Sequence, residues 1–484
     1  MRRFFVLIII LMISTLACGL ITTVTPRPTS SSQPIPVITT RAPTNSPTSE
    51  PAGTQPPVAV GTQPPGGVNT PTTTQEEPTK TPYPTSVLDA ALSTEINLIQ
   101  TQVIAERELQ PKHPVPVVLL SPDQVRQNEI NDYQTDYSDE EAADDIYELS
   151  IIGLVNPDFD IRTFMVNLYS EQIAGFYDPE VSEMFVVQGQ GFEGPERITY
   201  AHEYTHVLQD QNYDLRHGLN YNDDACEVDT ERCAAVQALV EGDATLSEIF
   251  WFQNYATRQD IQQYLDFANN LKQPVYDSAP AFLKDDFIFP YVQGLTFVQT
   301  IHDQGGWSAI DAVYHNPPVS TEQILHPSLY PSDTPVKVDL ADLASALGSS
   351  WREVSRNQMG EWYTYLILAR GVDEKARLDD KTAQAAAAGW GGDEYLVLHN
   401  DAAKTTAFVM KTVWDTTSDA AEFSTSLQKY ANARFGASAS QQGDTLSWTY
   451  QGGYSSFFVS GDTTIWIIAP DATVAGSISN QVQP

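Results

Sequence analysis

The segment Ala-His-Glu-Tyr-Thr-His, residues 201–206, constrains this chain more than any other feature of its sequence. On a helix, residues four positions apart lie one turn above each other on the same face, so His202 and His206 can share one metal ion. Glu203 is rotated by about 100° from His202, which makes it a poor ligand but lets it reach a water molecule at the metal. The pattern predicts a helix that holds zinc and carries Glu203 as a general base.

The residues around this motif favour a buried helix. Pro195 suits a first helical turn, and Ile198, Ala201, Thr205 and Leu208 form a largely uncharged stripe. The alternative is a surface helix with two solvated histidines. Because His and Glu are costly to bury in an uncharged stretch without a partner, the stripe favours a metal site.

A catalytic zinc ion takes three protein ligands and leaves one position for water, so the motif needs a third donor. The metzincin pattern fails, because Gln209 and Asn212 stand where that class has Gly and His. Glu241 is the better candidate, since it lies in an otherwise largely apolar helical run, residues 234–244, where a carboxylate needs a cation. The alternative is that Glu241 forms a structural ion pair.

The HExxH motif followed by a glutamate on a later helix resembles the gluzincin, or thermolysin-like, metallopeptidases. The resemblance implies that His202, His206 and Glu241 bind Zn²⁺ and that an edge strand binds the substrate. Thr245 departs from the family, because many gluzincins have an aspartate there that orients a histidine. Three carboxylates are alternatives for that role: Asp210, Asp243 and Glu248.

Two further phrases resemble uncharacterised secreted bacterial and archaeal proteins of this type: Gly-Phe-Tyr-Asp-Pro at 175–179 and Ser-Thr-Glu-Gln-Ile-Leu-His-Pro at 320–327. They extend the resemblance over roughly residues 87–370. Gluzincins stabilise the oxyanion with a later His or Tyr, so the resemblance implies His326 or Tyr291 as a further catalytic residue, and we expect His326. The alternative for His326 is that it closes a turn beside Pro327.

The N-terminus has the pattern of an export signal. Met-Arg-Arg precedes an apolar run over residues 4–13, which is too short to cross a bilayer. Leu-Ala-Cys at 16–18 resembles the lipobox of bacterial lipoproteins, which implies a signal peptide over 1–18 and a lipid on Cys18; plain secretion is the alternative. Residues 19–85 are rich in Pro, Thr and Ser, which predicts a solvated tether outside the cell membrane.

The remaining cysteines and the charge bear on compartment and partners. In an exported protein, the close pair Cys226 and Cys233 predicts a disulfide; two reduced thiols or a zinc site are the alternatives.

The chain has 62 acidic and 26 basic residues, a formal net charge of -36. Because phosphate backbones would be repelled, nucleic acid is not an expected partner.

The hydrophobic periodicity predicts an α+β chain with a mostly helical zincin-like domain over 86–376 and a small α+β domain over 388–478. A hairpin is expected directly before the motif, and an alanine- and glycine-rich joint over 384–392. The expected helices cover 88–111, 140–154, 161–170 and much of 195–370, with one more over 418–435. The expected strands are 115–120, 173–177, 183–187, 394–398, 407–414, 445–450, 455–459 and 463–468.

Together these patterns predict a zinc-dependent endopeptidase, held on the outer face of the membrane by its N-terminal lipid, that cleaves peptide or protein substrates. Two alternatives remain at this stage. One is a surface lipoprotein that contains zinc but only binds a partner. The other is a hydrolase of a non-protein amide in the cell envelope, because the water-activating chemistry would be the same.

Overall fold

The computed structural model describes residues 86–482 except 122, 125, 129, 132–136, 173–174 and 188–190. The predicted signal peptide, the lipid attachment at Cys18 and the tether lie outside the described residues. Within them, no helix has both the length and the apolar character needed to span a membrane. The chain is α+β, as the sequence predicted.

The region before residue 348 is mainly helical and contains one small sheet. Strand β1 (Val117–Leu120) pairs in parallel with β3 (Glu183–Val187), which pairs antiparallel with β2 (Gly175–Asp178), so β2 lies at an edge of this sheet. The helices of this region are α1 (Ala90–Arg107), α2 (Asp139–Ile151), α3 (Ile161–Gln172), α4 (Gly194–Tyr213), α5 (Asp223–Val228), α6 (Thr230–Tyr255), α7 (Arg258–Asn270), α8 (Pro274–Asp277), α9 (Ala281–Tyr314), α10 (Thr321–Leu325) and α11 (Leu343–Leu347).

Helix α4 carries the His-Glu-Tyr-Thr-His motif. It starts with Pro195 in the first turn, and the main-chain N–H of Glu193 is capped by the Glu196 carboxylate at 3.1 Å. It ends where Asp214 adopts a left-handed conformation, with φ 54°. The stripe predicted to be uncharged is buried, and so is the motif itself.

Helices α6 and α9 cross in direct backbone contact. A Cβ atom added to Gly242 would lie 2.3 Å from the carbonyl carbon of Gly294, and one added to Gly294 would lie 2.1 Å from the carbonyl oxygen of Ala238. Only glycine allows two helix backbones to approach this closely. The crossing lies one residue after Glu241, so it fixes the position of this side chain relative to α9.

A larger sheet follows, with strand order β4-β5-β6-β10-β9-β8-β7 and antiparallel pairing throughout. The helices α12, α14 and α15 pack against it, and α13 packs on α12 and α14. The strands are β4 (Trp351–Asn357), β5 (Trp390–Asn400), β6 (Thr405–Trp414), β7 (Ser440–Gln442), β8 (Thr445–Tyr450), β9 (Gly453–Ser460) and β10 (Thr463–Ala469), and the helices are α12 (Gly360–Arg370), α13 (Asp380–Ala387), α14 (Thr417–Arg434) and α15 (Ala472–Val482).

Four segments differ from the sequence prediction, and two of them, β7 (Ser440–Gln442) and α15 (Ala472–Val482), were not predicted at all. Residues 351–357 fall in the range predicted as largely helical, yet they form β4 and pair with β5. The expected joint at 384–392 instead forms the end of α13 and the start of β5, and Ala386 and Ala387 are almost fully buried. Small residues here allow helix α13 to pack closely, rather than making the chain flexible.

The other predicted elements agree with the structure to within a few residues, including the hairpin of β2 and β3 ahead of α4. The predicted disulfide is also confirmed. Cys226 and Cys233 are joined by an S–S bond of 2.08 Å, which links α5 to the first turn of α6. This bond ties down the start of the helix that carries Glu241.

Candidate metal centre

Helices α4 and α6 bring His202, His206 and Glu241 together. The Nε2 atoms of the two histidines lie 3.1 Å apart, and the Oε2 atom of Glu241 lies 3.2 Å from His202 Nε2 and 3.4 Å from His206 Nε2. All three side chains are buried. The three residues predicted from the sequence to bind a metal therefore present one donor atom each to the same point.

The spacing of these donors fits zinc. Two ligands about 2.0–2.1 Å from a tetrahedral zinc ion lie about 3.3 Å from each other, which is close to all three observed separations. Imidazole nitrogen and carboxylate oxygen are also donors that zinc accepts in catalytic sites. The side chains present therefore fit a zinc ion without rearrangement.

The orientation of His202 is fixed by Glu248. The Nδ1 atom of His202 lies 3.0 Å from Glu248 Oε2, so Nδ1–H donates to this carboxylate and Nε2 is left free to bind a metal. Glu248 lies two helical turns after Glu241 on α6, and of the three carboxylates that the sequence offered for this role it is the one in contact with His202. Thr245, one turn earlier, has a buried hydroxyl without a hydrogen-bond partner.

His206 is oriented by a residue that the sequence reasoning missed. Its Nδ1 atom lies 2.7 Å from Gln209 Oε1, and the Gln209 amide donates to the carbonyl of Val240 and to the Asp243 carboxylate, both at 3.0 Å. Since the amide NH₂ has two acceptors, its oxygen must face the histidine. Gln209 therefore sets which nitrogen of His206 carries the proton.

Asp243 is another of the three carboxylates considered for orienting a histidine, but it contacts Gln209 and not a histidine. Its carboxylate accepts hydrogen bonds from Arg107 Nε at 2.7 Å and from the Tyr314 hydroxyl at 2.8 Å. Arg107 is fully buried, and its Nη2 also lies 3.0 Å from Asp311. A network built on the buried Arg107–Asp243 ion pair thus holds Gln209 in place from α1, α6 and α9. The sequence gives no local signal for this arrangement, because Arg107 is more than 100 positions from its partner.

The general-base candidate, Glu203, faces the edge strand. The main-chain N–H of Tyr177 on β2 donates to Glu203 Oε2 at 3.1 Å, while Glu203 Oε1 is buried without a hydrogen-bond partner. The Tyr177 hydroxyl donates to Asp210 at 2.7 Å. Asp210, the third alternative for orienting a histidine, therefore docks β2 onto α4 instead.

The buried charges of the centre act on each other strongly. Burial raises the pKa of Glu203 to about 7, even though the nearby His206 and His202 favour its charged form. Burial alone would lower the pKa of His202, but hydrogen bonds to Glu241 and Glu248 outweigh it and raise this pKa. The carboxylates thus create a field that attracts positive charge to the point between the histidines, as a cation site requires.

Tyr291 and His326 lie in different surroundings. The ring of Tyr291, on α9, lies 6.4 Å from the His202 ring, and its pKa is raised well above the usual value by burial and by the charges of Glu241 and Glu203. His326 Nε2 lies 2.9 Å from Glu361 Oε1, and no contact among the described residues joins it to the centre. The geometry therefore favours Tyr291 where the sequence reasoning expected His326.

The comparisons with known proteins concern a different part of the chain. Residues 348–479 match a family described as a domain of unknown function (DUF8575), which covers less than half of the chain and includes β4 to β10. No curated protein and no solved structure matches the sequence. The match begins before β4, whereas the predicted domain began at 388.

Proposed function

We propose that this protein is a zinc-dependent peptidase whose centre is formed by His202, His206 and Glu241, with Glu203 as the general base. The observation that carries the proposal is the triangle of donor atoms with edges of 3.1–3.4 Å, beside a carboxylate that has one oxygen unpartnered. A structural zinc site is closed by four protein ligands, whereas three ligands next to a free carboxylate are typical of a hydrolytic site.

His202, His206 and Glu241 would hold the zinc ion, which would supply a Lewis acid that polarises the scissile carbonyl group and makes the attacking water more acidic. Glu203 takes one proton from the attacking water while the water oxygen bonds to the scissile carbonyl carbon. Glu203 then passes this proton to the amine nitrogen as the C–N bond breaks, which gives a carboxylic acid and an amine; transfer of the acid proton to the amine leaves a carboxylate and an ammonium group. The Oε1 atom of Glu203, which is buried without a hydrogen-bond partner, is the oxygen available to accept the proton from the attacking water.

The edge strand and Tyr291 complete the proposed site. Because β2 is an edge strand of its sheet, an extended peptide can pair with main-chain groups of this strand, as gluzincin substrates do with theirs. Tyr291 has a neutral hydroxyl close to Glu241 and Glu203, so we assign the oxyanion-stabilising role to it rather than to His326.

The test compares the wild-type protein with Glu203→Gln. Zinc content is measured on the purified protein, and cleavage is measured on an unfolded protein substrate. We expect zinc at near one-to-one stoichiometry in both, and a loss of cleavage of roughly 10²–10⁴-fold in the variant, which is the usual contribution of a general base. Glu196→Gln, at the start of the same helix and away from the donor atoms, serves as the matched control and keeps its activity.

Three other results of these measurements would contradict the proposal or change it. Undiminished cleavage by Glu203→Gln contradicts the mechanism. Absence of zinc from the wild-type protein contradicts the proposed metal centre. Bound zinc without cleavage of any peptide favours the two alternatives, a zinc-containing surface binding protein or a hydrolase of a non-protein amide in the cell envelope.

A further inference from the structure

A second group of carboxylates lies where the helical region meets the larger sheet. Glu322 is on α10, Asp333 is in the loop that follows, and Asp415 comes directly after β6. Each offers one oxygen atom, and these oxygens lie within 4.8 Å of one another. We call these three residues the junction cluster; none of them belongs to the proposed zinc centre.

The junction cluster contains buried charge without a partner. Glu322 is only 2 % exposed, yet its Oε1 has no hydrogen-bond partner, and no Lys or Arg in the described part of the chain pairs with any of the three carboxylates. Glu361, which is 4 % exposed, also has an unpartnered oxygen, Oε2, although its Oε1 contacts His326. Buried carboxylate oxygens without partners are costly, so such a group calls for a cation or a proton.

The charges that act most strongly on Glu322 are negative. Burial raises the pKa of its carboxyl group to about 9, and the negative charges of Glu361, Asp415 and Asp333 act in the same direction. The loop that carries Asp333 is held in place, because the Gln323 side-chain amide donates a hydrogen bond to the Asp333 carbonyl. The carboxylates are therefore kept together by the fold in spite of their repulsion.

The phrase at 320–327 builds this arrangement. Ser320 caps α10 through a hydrogen bond from the Gln323 N–H at 3.2 Å, and the Thr321 hydroxyl donates to the buried Glu231 at 2.8 Å. The Glu322 carboxyl group then lies beside those of Asp333 and Asp415, and His326 contacts Glu361. The phrase thus serves the junction cluster, and none of its described contacts reaches the zinc centre.

We propose that Glu322, Asp333 and Asp415 bind a calcium ion, which links the loop after α10 to the end of β6. The donors are oxygen atoms only, as hard cations prefer, whereas zinc prefers nitrogen and sulfur among its ligands. Ligands at 2.3–2.6 Å on opposite sides of Ca²⁺ lie roughly 5 Å apart, so oxygens within 4.8 Å can share it. Asp415 is exposed, which leaves room for water molecules to complete the coordination.

The first test measures binding. The full-length protein is loaded with one equivalent of zinc, dialysed into Ca²⁺-free buffer with enough salt to suppress loose binding to its acidic surface, and titrated with Ca²⁺ in a calorimeter. We expect one site, and an affinity lower by about tenfold or more in Asp415→Asn, because ligand charge tunes calcium affinity. Asp462→Asn, an exposed position in the turn between β9 and β10, is the matched control and binds as the wild type does.

A wild-type protein without calcium binding, or equal affinities in wild type and Asp415→Asn, would overturn the proposal. Glu322→Gln supplies an independent readout, because glutamine has nearly the same shape without the charge. In Ca²⁺-free buffer this variant should unfold at the same temperature as the wild type or higher, and only the wild type should gain stability from Ca²⁺.

If Glu322 simply carries a proton, Ca²⁺ changes the unfolding temperature of neither protein, which also overturns the proposal. Mg²⁺ at the same concentration should raise the wild-type unfolding temperature less than Ca²⁺ does, since Mg²⁺ demands a stricter octahedral shell. An equal or larger rise with Mg²⁺ rejects the assignment to calcium.

Discussion

The proposed zinc centre and the junction cluster both contain buried carboxyl groups, but the two sites differ in which groups surround them. At the zinc centre, Glu248 and Glu241 each contact a histidine nitrogen, and the ligands stand on two helices in contact. In the junction cluster, carboxylates face each other, and they come from a short helix, a loop and the end of a strand. The difference leads us to propose two kinds of metal site: one with nitrogen and oxygen donors on two packed helices, and one with oxygen donors only that joins separate segments.

The largest expected effect is on zinc affinity, and we expect it to differ between two variants on α6 and one on α4. Glu241→Gln removes a ligand and should lower the affinity by more than about 100-fold, while Glu248→Gln removes only the partner of His202 and should lower it by roughly 10–100-fold. Glu203→Gln should leave it unchanged. The measurement is competition with a chromophoric chelator. Wild-type affinity in Glu241→Gln would mean that the third ligand lies elsewhere.

The rigidity of the zinc centre is tested by Gly242→Ala. The new Cβ would lie 2.3 Å from backbone atoms of Gly294, which cannot move as a flexible side chain can, so we expect a loss of roughly 3 kcal/mol in the free energy of unfolding. Gly476→Ala is the matched control, because this helical glycine has open space around it and alanine should add up to about 1 kcal/mol. Urea denaturation measures both, and similar values for the two variants would contradict the close helix crossing.

The part of the zinc centre that the sequence predicted depends on local spacing. His202 and His206 lie one helical turn apart, and Glu241 is an acid in a largely apolar run, so short patterns reveal them. Gln209 lies only three residues after His206, but its amide is oriented by Val240 and Asp243 on α6, which local spacing does not reveal. Arg107 was missed because its partner Asp243 is distant in sequence. The junction cluster has no local pattern at all, since its three carboxylates come from separate segments.

The prediction of the fold was limited in the same way, because local patterns do not reveal contacts between distant segments. Helices and strands with a regular hydrophobic period were predicted, and so was the hairpin of β2 and β3. Strand β4 was missed because it lies beside helical segments in sequence and joins the sheet only through β5. The alanines before β5 were taken for a joint because composition alone does not separate close packing from flexibility.

A smaller effect concerns the pH dependence of stability. Glu322 has a buried carboxyl oxygen without a hydrogen-bond partner, whereas Asp393 is a buried acid whose carboxylate accepts several hydrogen bonds. The Asp393 carboxylate accepts hydrogen bonds from the N–H groups of Met359, Gly360 and the Trp390 ring, but burial still raises its pKa to about 6. A raised pKa means that the folded state holds the proton more tightly than the unfolded state does. This contribution to stability is therefore full below about pH 4 and is lost as the pH rises through about 6.

We expect the wild type to lose about 2 kcal/mol more stability than Asp393→Asn between pH 4 and pH 7. The variant is less stable overall, because asparagine cannot accept all three hydrogen bonds, so the readout is the slope with pH and not the absolute value. Denaturant titrations at several pH values in Ca²⁺-free buffer measure it, and Asp462→Asn should keep the wild-type slope. Equal slopes for wild type and Asp393→Asn would contradict the raised pKa.

The smallest effect is expected at Thr245, where many gluzincins have the aspartate that orients a histidine. Its hydroxyl is buried without a partner, and Glu248 already contacts His202 from the next turn. Thr245→Val keeps the shape and removes the unsatisfied hydroxyl, so it should change stability by no more than about 1 kcal/mol, towards greater stability, and leave zinc affinity unchanged. A clear loss of zinc affinity in this variant would place the orienting group at position 245 and remove that role from Glu248.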